Sequence, residues 1–104
     1  EYRLSLGMRR GPRIAVTESA ICVTLVGGPQ GKGRDGDVLC VRSTDGGQSW
    51  SEPAKVNDAT DSAREGLHAM AAGPKNLLCC TWLDLRNKQS EVMAAISSDG
   101  GKTW

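Results

Sequence analysis

Hydrophobic residues along this chain fall in short runs that are separated by glycine, proline, aspartate and asparagine. Runs of this kind, bounded by turn residues, are typical of β-strands. The longest run, 20–26, has the length of a strand, whereas a membrane-spanning helix needs roughly 18 to 20 apolar residues. The pattern therefore predicts a turn-rich, all-β protein without a membrane span.

One segment of the chain occurs twice. Residues 43–50 read STDGGQSW, and residues 97–104 read SSDGGKTW, at an offset of 54 residues. At the same offset Arg10 aligns with Arg64 and Ala15 with Ala69. After a loop difference of three residues, ICVTLV at 21–26 aligns with LCCTWL at 78–83. This self-similarity predicts two copies of one structural unit.

Each unit is predicted to be an antiparallel meander of four strands, A to D. In the first unit the strands are expected near 13–17, 20–26, 37–43 and 50–56. In the second they are expected near 67–72, 77–83 and 91–97, with strand D beginning at 104.

A repeat of this size matches one blade of a β-propeller, a fold that closes with about 4 to 8 blades. We therefore predict one blade at about 10–57 and an incomplete blade at about 64–104. Together they form a partial propeller domain over 1–104 of a longer parent, whose remaining blades are the expected partners.

The repeated segment has the chemistry of a hairpin turn. Its two glycines can adopt positive φ, and its aspartate can accept hydrogen bonds from the backbone amides that follow. The tryptophan is large enough to pack across the turn. A structural role is therefore predicted for Ser43, Asp45, Gly47, Trp50, Ser97, Asp99, Gly101 and Trp104. For Asp45 and Asp99 calcium binding is the alternative.

The two segments resemble the Asp-box, or BNR, repeats of sialidase-like propellers. The stretches 64–68 and 82–86 also resemble secreted bacterial exo-sialidases. The resemblance implies a six-bladed propeller, a secreted or periplasmic parent, and an exo-acting glycoside hydrolase that removes terminal acidic sugars. The chain alone is expected to be inactive. Because Asp boxes also occur in propellers without catalytic activity, the alternative is a propeller that binds carbohydrate or protein.

The candidate site is predicted at the end of the sheets that the boxes do not occupy. In a four-stranded meander the C–D turns lie opposite the B–C and D–A connections, and these connections carry most of the charged residues. They are Arg34, Asp35, Asp37, Asp58, Asp61, Arg64, Glu65, Asp84 and Arg86, with Arg9 and Arg10 leading into the first unit and His68 near the start of an inner strand.

Sialidases bind the sugar carboxylate with arginines, and they use an aspartate as acid/base and a tyrosine as nucleophile. By this resemblance Asp84 is the candidate catalytic acid, and the candidate substrate-binding residues are Arg10, Arg64, Arg86, Glu65 and His68. No nucleophile is transferred, because the single tyrosine, Tyr2, lies outside any matched motif.

Each candidate has a structural alternative. Arg10 and Arg64 can be ion-pair residues at the surface or between blades. Asp84 and Arg86 can pair with each other at a loop, and His68 can be a packed histidine.

Charge and cysteine content narrow the choice of partners. Thirteen basic and twelve acidic residues give a net charge of +1 with the signs interspersed, so nucleic acid is not an expected partner. The four cysteines form no C-x-x-C motif and only one histidine is present, which argues against a metal site, and no cofactor is predicted. The cysteines are interpreted as small buried hydrophobic residues, with a Cys22–Cys40 disulfide as the alternative.

Overall fold

The computed structural model describes residues 2–5, 11–29, 36–64 and 67–104, and within them the chain is all-β. Eight strands are formed, all paired antiparallel. They are β1 (Arg3–Leu4), β2 (Arg13–Val16), β3 (Ile21–Gly28), β4 (Asp37–Ser43), β5 (Ala54–Lys55), β6 (Ala69–Ala72), β7 (Leu78–Asp84) and β8 (Glu91–Ser97).

The strands form two sheets that follow the two sequence units. The first sheet has the order β1-β3-β4-β5, with β2 also pairing with β3, and the second has the order β6-β7-β8. Strands A, B and C of each unit are thus confirmed as β2, β3 and β4 and as β6, β7 and β8. Ser43 pairs with Ile21 in the first sheet, and Ser97 pairs with Leu78 in the second. Since Ser43 aligns with Ser97 and Ile21 with Leu78 in the sequence, the repeated residues take equivalent positions in the two sheets.

Two details of the predicted strands were wrong. Strand D was expected over 50–56, but only Ala54–Lys55 forms a strand, since Pro53 has no N–H to contribute to the ladder. Strand β1 was not predicted. It pairs with the last two residues of β3, so Arg3 lies opposite Gly28.

The match of Ala15 with Ala69 was also wrong. Ala15 pairs with Cys22, and the residue that pairs with the equivalent Cys79 is Ala71. The turn between the first two strands is longer in the second unit by one residue, not by the three that the sequence alignment assumed, so Ala15 is equivalent to Ala71. Arg10 was matched with Arg64 at the same offset of 54 residues as Ala15 with Ala69. The pairing of the strands therefore does not support that match either.

The core lies between the two sheets, which pack face to face. In each strand alternate residues share a face, and paired residues on neighbouring strands share it too. On the first sheet the buried hydrophobic residues of this face are Cys22, Val26, Val38 and Cys40. On the second sheet they are Leu78, Cys80 and Trp82.

Ala63 joins the two sheets at the end opposite the boxes. It forms isolated bridges with Gly36 of the first unit and with Asp84 of the second. Its amide donates to the Gly36 carbonyl at 2.8 Å, and the Leu85 amide donates to the Ser62 carbonyl at 2.8 Å. The connection between the units is therefore held by backbone hydrogen bonds to both sheets.

Candidate functional site

The first box forms the turn between β4 and β5. The Ser43 hydroxyl donates to Asp45 Oδ1 at 2.7 Å and accepts from the Gly47 amide at 2.8 Å. Asp45 Oδ1 also accepts from the Ser49 amide at 2.9 Å. Gly46 and Gly47 adopt φ values of 74° and 94°, which L side chains rarely adopt. The side chains of the box thus hold the backbone of the turn from inside.

The second box follows β8 and repeats this arrangement. The Ser97 hydroxyl donates to Asp99 Oδ1 at 2.7 Å and accepts from the Gly101 amide at 2.9 Å, and the Thr103 amide donates to Asp99 Oδ1 at 2.9 Å. Hydrogen bonds from Thr103 hold the pKa of Asp99 well below its usual range, as those from Ser49 do for Asp45. Both boxes are therefore ordered turns with ionised carboxylates.

The two tryptophans of the boxes differ in their surroundings. Trp104 packs against the core, whereas Trp50 lies near its own turn, with its ring 4.0 Å from where a side chain on Gly47 would begin, and stays 46% exposed. The predicted packing of Trp50 across its turn is thus only partial.

At the opposite end of the sheets, Asp84 is the centre of a hydrogen-bond network. Its side chain is fully buried and accepts from the Ser62 hydroxyl at 2.7 Å and from Trp82 Nε1 at 2.9 Å. Arg86 donates to it from the backbone amide, from Nε and from Nη2, each at 2.9 Å. Arg86 Nη2 also reaches the exposed Asp58 at 2.7 Å.

This network favours the structural alternative for Asp84 and Arg86. The hydrogen bonds from Arg86 hold the pKa of Asp84 well below its usual range, so the carboxyl group is ionised at neutral pH. A general acid must carry a proton near the operating pH. In this geometry Asp84 organises a loop, and its role as a catalytic acid stays a prediction.

A second buried carboxyl group, that of Asp37, lies beside this network. The sequence placed Asp37 at this end of the sheets but not among the catalytic or substrate-binding candidates. Asp37 Oδ1 accepts from Asn57 Nδ2 at 2.8 Å and from the Asp61 amide at 2.8 Å. Asn57 Oδ1 accepts from the Val38 amide at 2.8 Å. Asn57 gives no sequence signal beyond its place in a polar connection, because its contacts depend on how the connection folds back over β4.

The remaining candidates do not converge on Asp84. Arg64 is partly buried and its Nη1 donates to the Ser90 hydroxyl at 2.9 Å. His68 is buried, and its Nε2 lies 3.1 Å from the Thr24 hydroxyl of the first sheet. This contact joins the two sheets, as expected for a packed histidine. Arg10 and Glu65 lie outside the described residues, as do Arg9, Arg34 and Asp35.

A cleft of about 280 Å³ runs beside the Arg86–Asp58 ion pair. Its walls combine this pair with two indole rings and with apolar side chains of β8, and its lining residues are Val56, Asp58, Trp82, Arg86, Met93, Ala94, Ala95 and Trp104. Its charged groups are paired with each other, and the cleft offers a mixed polar and apolar surface.

The cysteines match the interpretation as small hydrophobic residues at three of four positions. Cys22, Cys40 and Cys80 are buried and Cys79 is exposed, and none is bonded to another. Burial raises the pKa of the Cys40 and Cys80 thiols to about 12, so both stay protonated. Cys79 and Cys80 are neighbours in β7 and point to opposite faces of the strand.

Comparison of the chain with protein-family models, curated proteins and solved structures finds no match. In the part of the chain that the structure describes, no helix could cross a membrane, and no three or more His, Cys, Asp or Glu side chains are grouped to hold a metal ion. Function must therefore be argued from the geometry and from the two boxes.

Proposed function

We propose that this chain forms two adjacent blades of a sialidase-like propeller that acts on terminal acidic sugars. Two features support the propeller: the boxes repeat the same hydrogen bonds, and the sheets that carry them pack face to face. The proposal includes a secreted or periplasmic location for the parent, by the same resemblance.

The position of Arg64 is the observation that supports a preference for acidic over neutral sugars. It directly follows Ala63, the residue that joins both sheets at the end away from the boxes, and its amide donates to the Leu83 carbonyl at 2.8 Å. Its guanidinium donates a hydrogen bond to the Ser90 hydroxyl at 2.9 Å, which orients it. A guanidinium donates two parallel hydrogen bonds to a carboxylate, and this is the group that distinguishes an acidic sugar from a neutral one.

In this proposal Asp84 and Arg86 support the loop, and the proton donor is left to be identified. A propeller that binds carbohydrate or protein without hydrolysis is the second candidate. It is favoured by the burial and ionisation of Asp84, which leave the described residues without their predicted general acid.

The experiment compares an acidic and a neutral glycan on the same chain. Saturation-transfer NMR should detect sialyllactose but not lactose, and Arg64→Ala should weaken sialyllactose binding by about 2 to 5 kcal/mol because the carboxylate loses a charged partner. Arg64→Lys should rescue poorly, since an ammonium group cannot reproduce the planar fork. Lys102→Ala, at the box end, is the matched control.

Three outcomes separate the candidates. Unchanged binding by folded Arg64→Ala would remove this residue from the site. Equal binding of the two glycans, or of neither, would contradict the assignment to acidic sugars. Release of sialic acid from a fluorogenic sialoside by the longer parent would favour the hydrolase, and binding without release by that parent would favour the second candidate.

A further inference from the structure

Each sheet presents an apolar outer face, on the side that does not pack against the other sheet. On the first sheet Ile14 and Val16 are 68% and 65% exposed, and on the second sheet Val92 and Ile96 are 73% and 62% exposed. β-Branched residues this exposed, at alternating positions in strands, are typical of a surface that another element covers.

The outer face of the second sheet is the repeat equivalent of the inner face of the first. The strand registers fix this correspondence, because each box serine pairs with the first residue of its neighbouring strand. The equivalent pairs are Cys22 with Cys79, Thr24 with Thr81, Val26 with Leu83, Val38 with Val92, and Cys40 with Ala94. The second sheet covers the inner face of the first sheet. The outer face of the second sheet thus repeats that inner face with similar side chains.

The converse also holds. The inner face of the second sheet corresponds to the outer face of the first, and its residues are again apolar. The equivalent pairs are Leu78 with Ile21, Cys80 with Val23, Trp82 with Leu25, Met93 with Leu39, and Ala95 with Val41. Each outer face is thus equivalent to the inner face of the other sheet. Because the two inner faces pack against each other, the two outer faces are expected to fit in the same way.

The box glycines support the same correspondence. A side chain on Gly101 would lie 3.1 Å from the Cys40 sulfur and 3.2 Å from the Cys22 sulfur, so this box packs closely on the first sheet. At the equivalent Gly47 the nearest group is the ring of Trp50, at 4.0 Å. The first box thus has the conformation of the packed box, but in the described part of the chain no sheet packs against it.

We propose that a second copy of this chain docks head to tail, with the outer face of its first sheet on the outer face of the second sheet. The new interface repeats the one within the chain, and Gly47 of one copy packs against Cys79 and Ala94 of the other. Such a heterologous contact closes into a ring when the rotation allows. With two sheets in each copy, rings of about 4 to 8 sheets contain about two to four copies. The ring rests on the propeller part of the proposed function, with a second copy in the place of the parent's remaining blades, and it does not depend on sugar binding.

The test measures the mass of the purified chain by light scattering and sedimentation over a range of concentrations. The wild type should reach about two to four times the mass of one chain. Val92→Arg and Val23→Arg each block one face, so each variant alone should be monomeric and an equimolar mixture should form a 1:1 dimer. Thr44→Arg is the control, because the equivalent Ser98 stays exposed where the two sheets pack.

Cys79 provides a measurement that needs no variant. It is the exposed cysteine, whereas the other three are buried. Its alkylation by a maleimide should be slower at high than at low chain concentration. A chain that is monomeric at every concentration, with unchanged Cys79 reactivity, would overturn the proposal. Association of either variant with itself would also overturn it, since this requires two identical faces to meet.

Discussion

At the scale of single residues, the box serines show how the turn is stabilised. Ser97 is 1% exposed, and its hydroxyl both donates to Asp99 and accepts from the Gly101 amide. Because that amide is buried, no water replaces the hydroxyl when it is removed. The serine is therefore as important to the turn as the aspartate that gives the box its name.

We expect Ser97→Ala to lower the free energy of unfolding by about 1 to 3 kcal/mol, the cost of a buried polar group left without a partner. The neighbouring Ser98 is exposed, so Ser98→Ala should change stability by less than about 0.5 kcal/mol. Urea unfolding followed by tryptophan fluorescence measures both. Equal losses in the two variants would contradict the role given to the Ser97 hydroxyl.

At the scale of elements, the connection between the two units is held by Asp84 as well as by backbone hydrogen bonds. The carboxylate accepts hydrogen bonds from Ser62 of the connection, from Trp82 of β7 and from Arg86 of the following loop. Arg86 also reaches Asp58, near the start of the connection. One buried acid thus holds three segments together.

Asp84→Asn should therefore lower the free energy of unfolding by about 1 to 3 kcal/mol, because an amide nitrogen cannot accept from these donors. Asp58→Asn removes the other, exposed partner of Arg86 and should leave the urea midpoint nearly unchanged. The same variants allow a test of pH dependence.

The pKa of Asp84 is lowered by folding, so its contribution to stability is present above the unfolded pKa of about 3.9 and is lost as pH falls below it. The urea midpoint of the wild type should thus fall more between pH 6 and pH 3 than that of Asp84→Asn. Parallel pH profiles would contradict the ionised, buried Asp84.

The order of strands A, B and C could be predicted from the sequence because it depends on local patterns. Alternating apolar residues and the Asp-Gly-Gly turns mark these strands in both units. Strand β1 has two residues and pairs with Gly27 and Gly28, which no local pattern indicates. The contact of His68 with Thr24 and that of Asn57 with Asp37 likewise depend on how distant segments meet.

The candidate site was predicted less well than the fold, for a physical reason. The sequence shows that charged residues concentrate in the B–C and D–A connections. It also indicates that Asp84 and Arg86 can pair, but it does not decide between this pairing and a role toward a ligand. Asp84 and Arg86 are two residues apart, and their hydrogen bonds satisfy charges that were candidates for a ligand. Which connection residues face a ligand depends on this pairing.

At the scale of the whole molecule, the structure consists of one unit used twice, with the second unit packed on a specific face of the first. The serine and aspartate of each box make the same hydrogen bonds across the turn, yet among the described residues only the second box packs against another sheet. Where the two boxes carry the same residue, a difference between them therefore reports the packing between the sheets.

Gly47 and Gly101 test this account most directly. They occupy the same position of the box, with φ values of 94° and 83°, so alanine meets similar backbone strain at both. A side chain on Gly101 also meets the sulfurs of Cys22 and Cys40 at 3.2 Å or less. The comparison is made in the Val92→Arg chain, which keeps association out of the measurement.

The difference in unfolding free energy between the two alanine variants is the deciding quantity. Gly101→Ala should lower the free energy of unfolding by about 1 to 3 kcal/mol more than Gly47→Ala, because overpacking at the contact between the sheets adds to the shared backbone strain. Equal losses in the two variants would contradict the packing of the second box on the first sheet, and with it the arrangement of the two units.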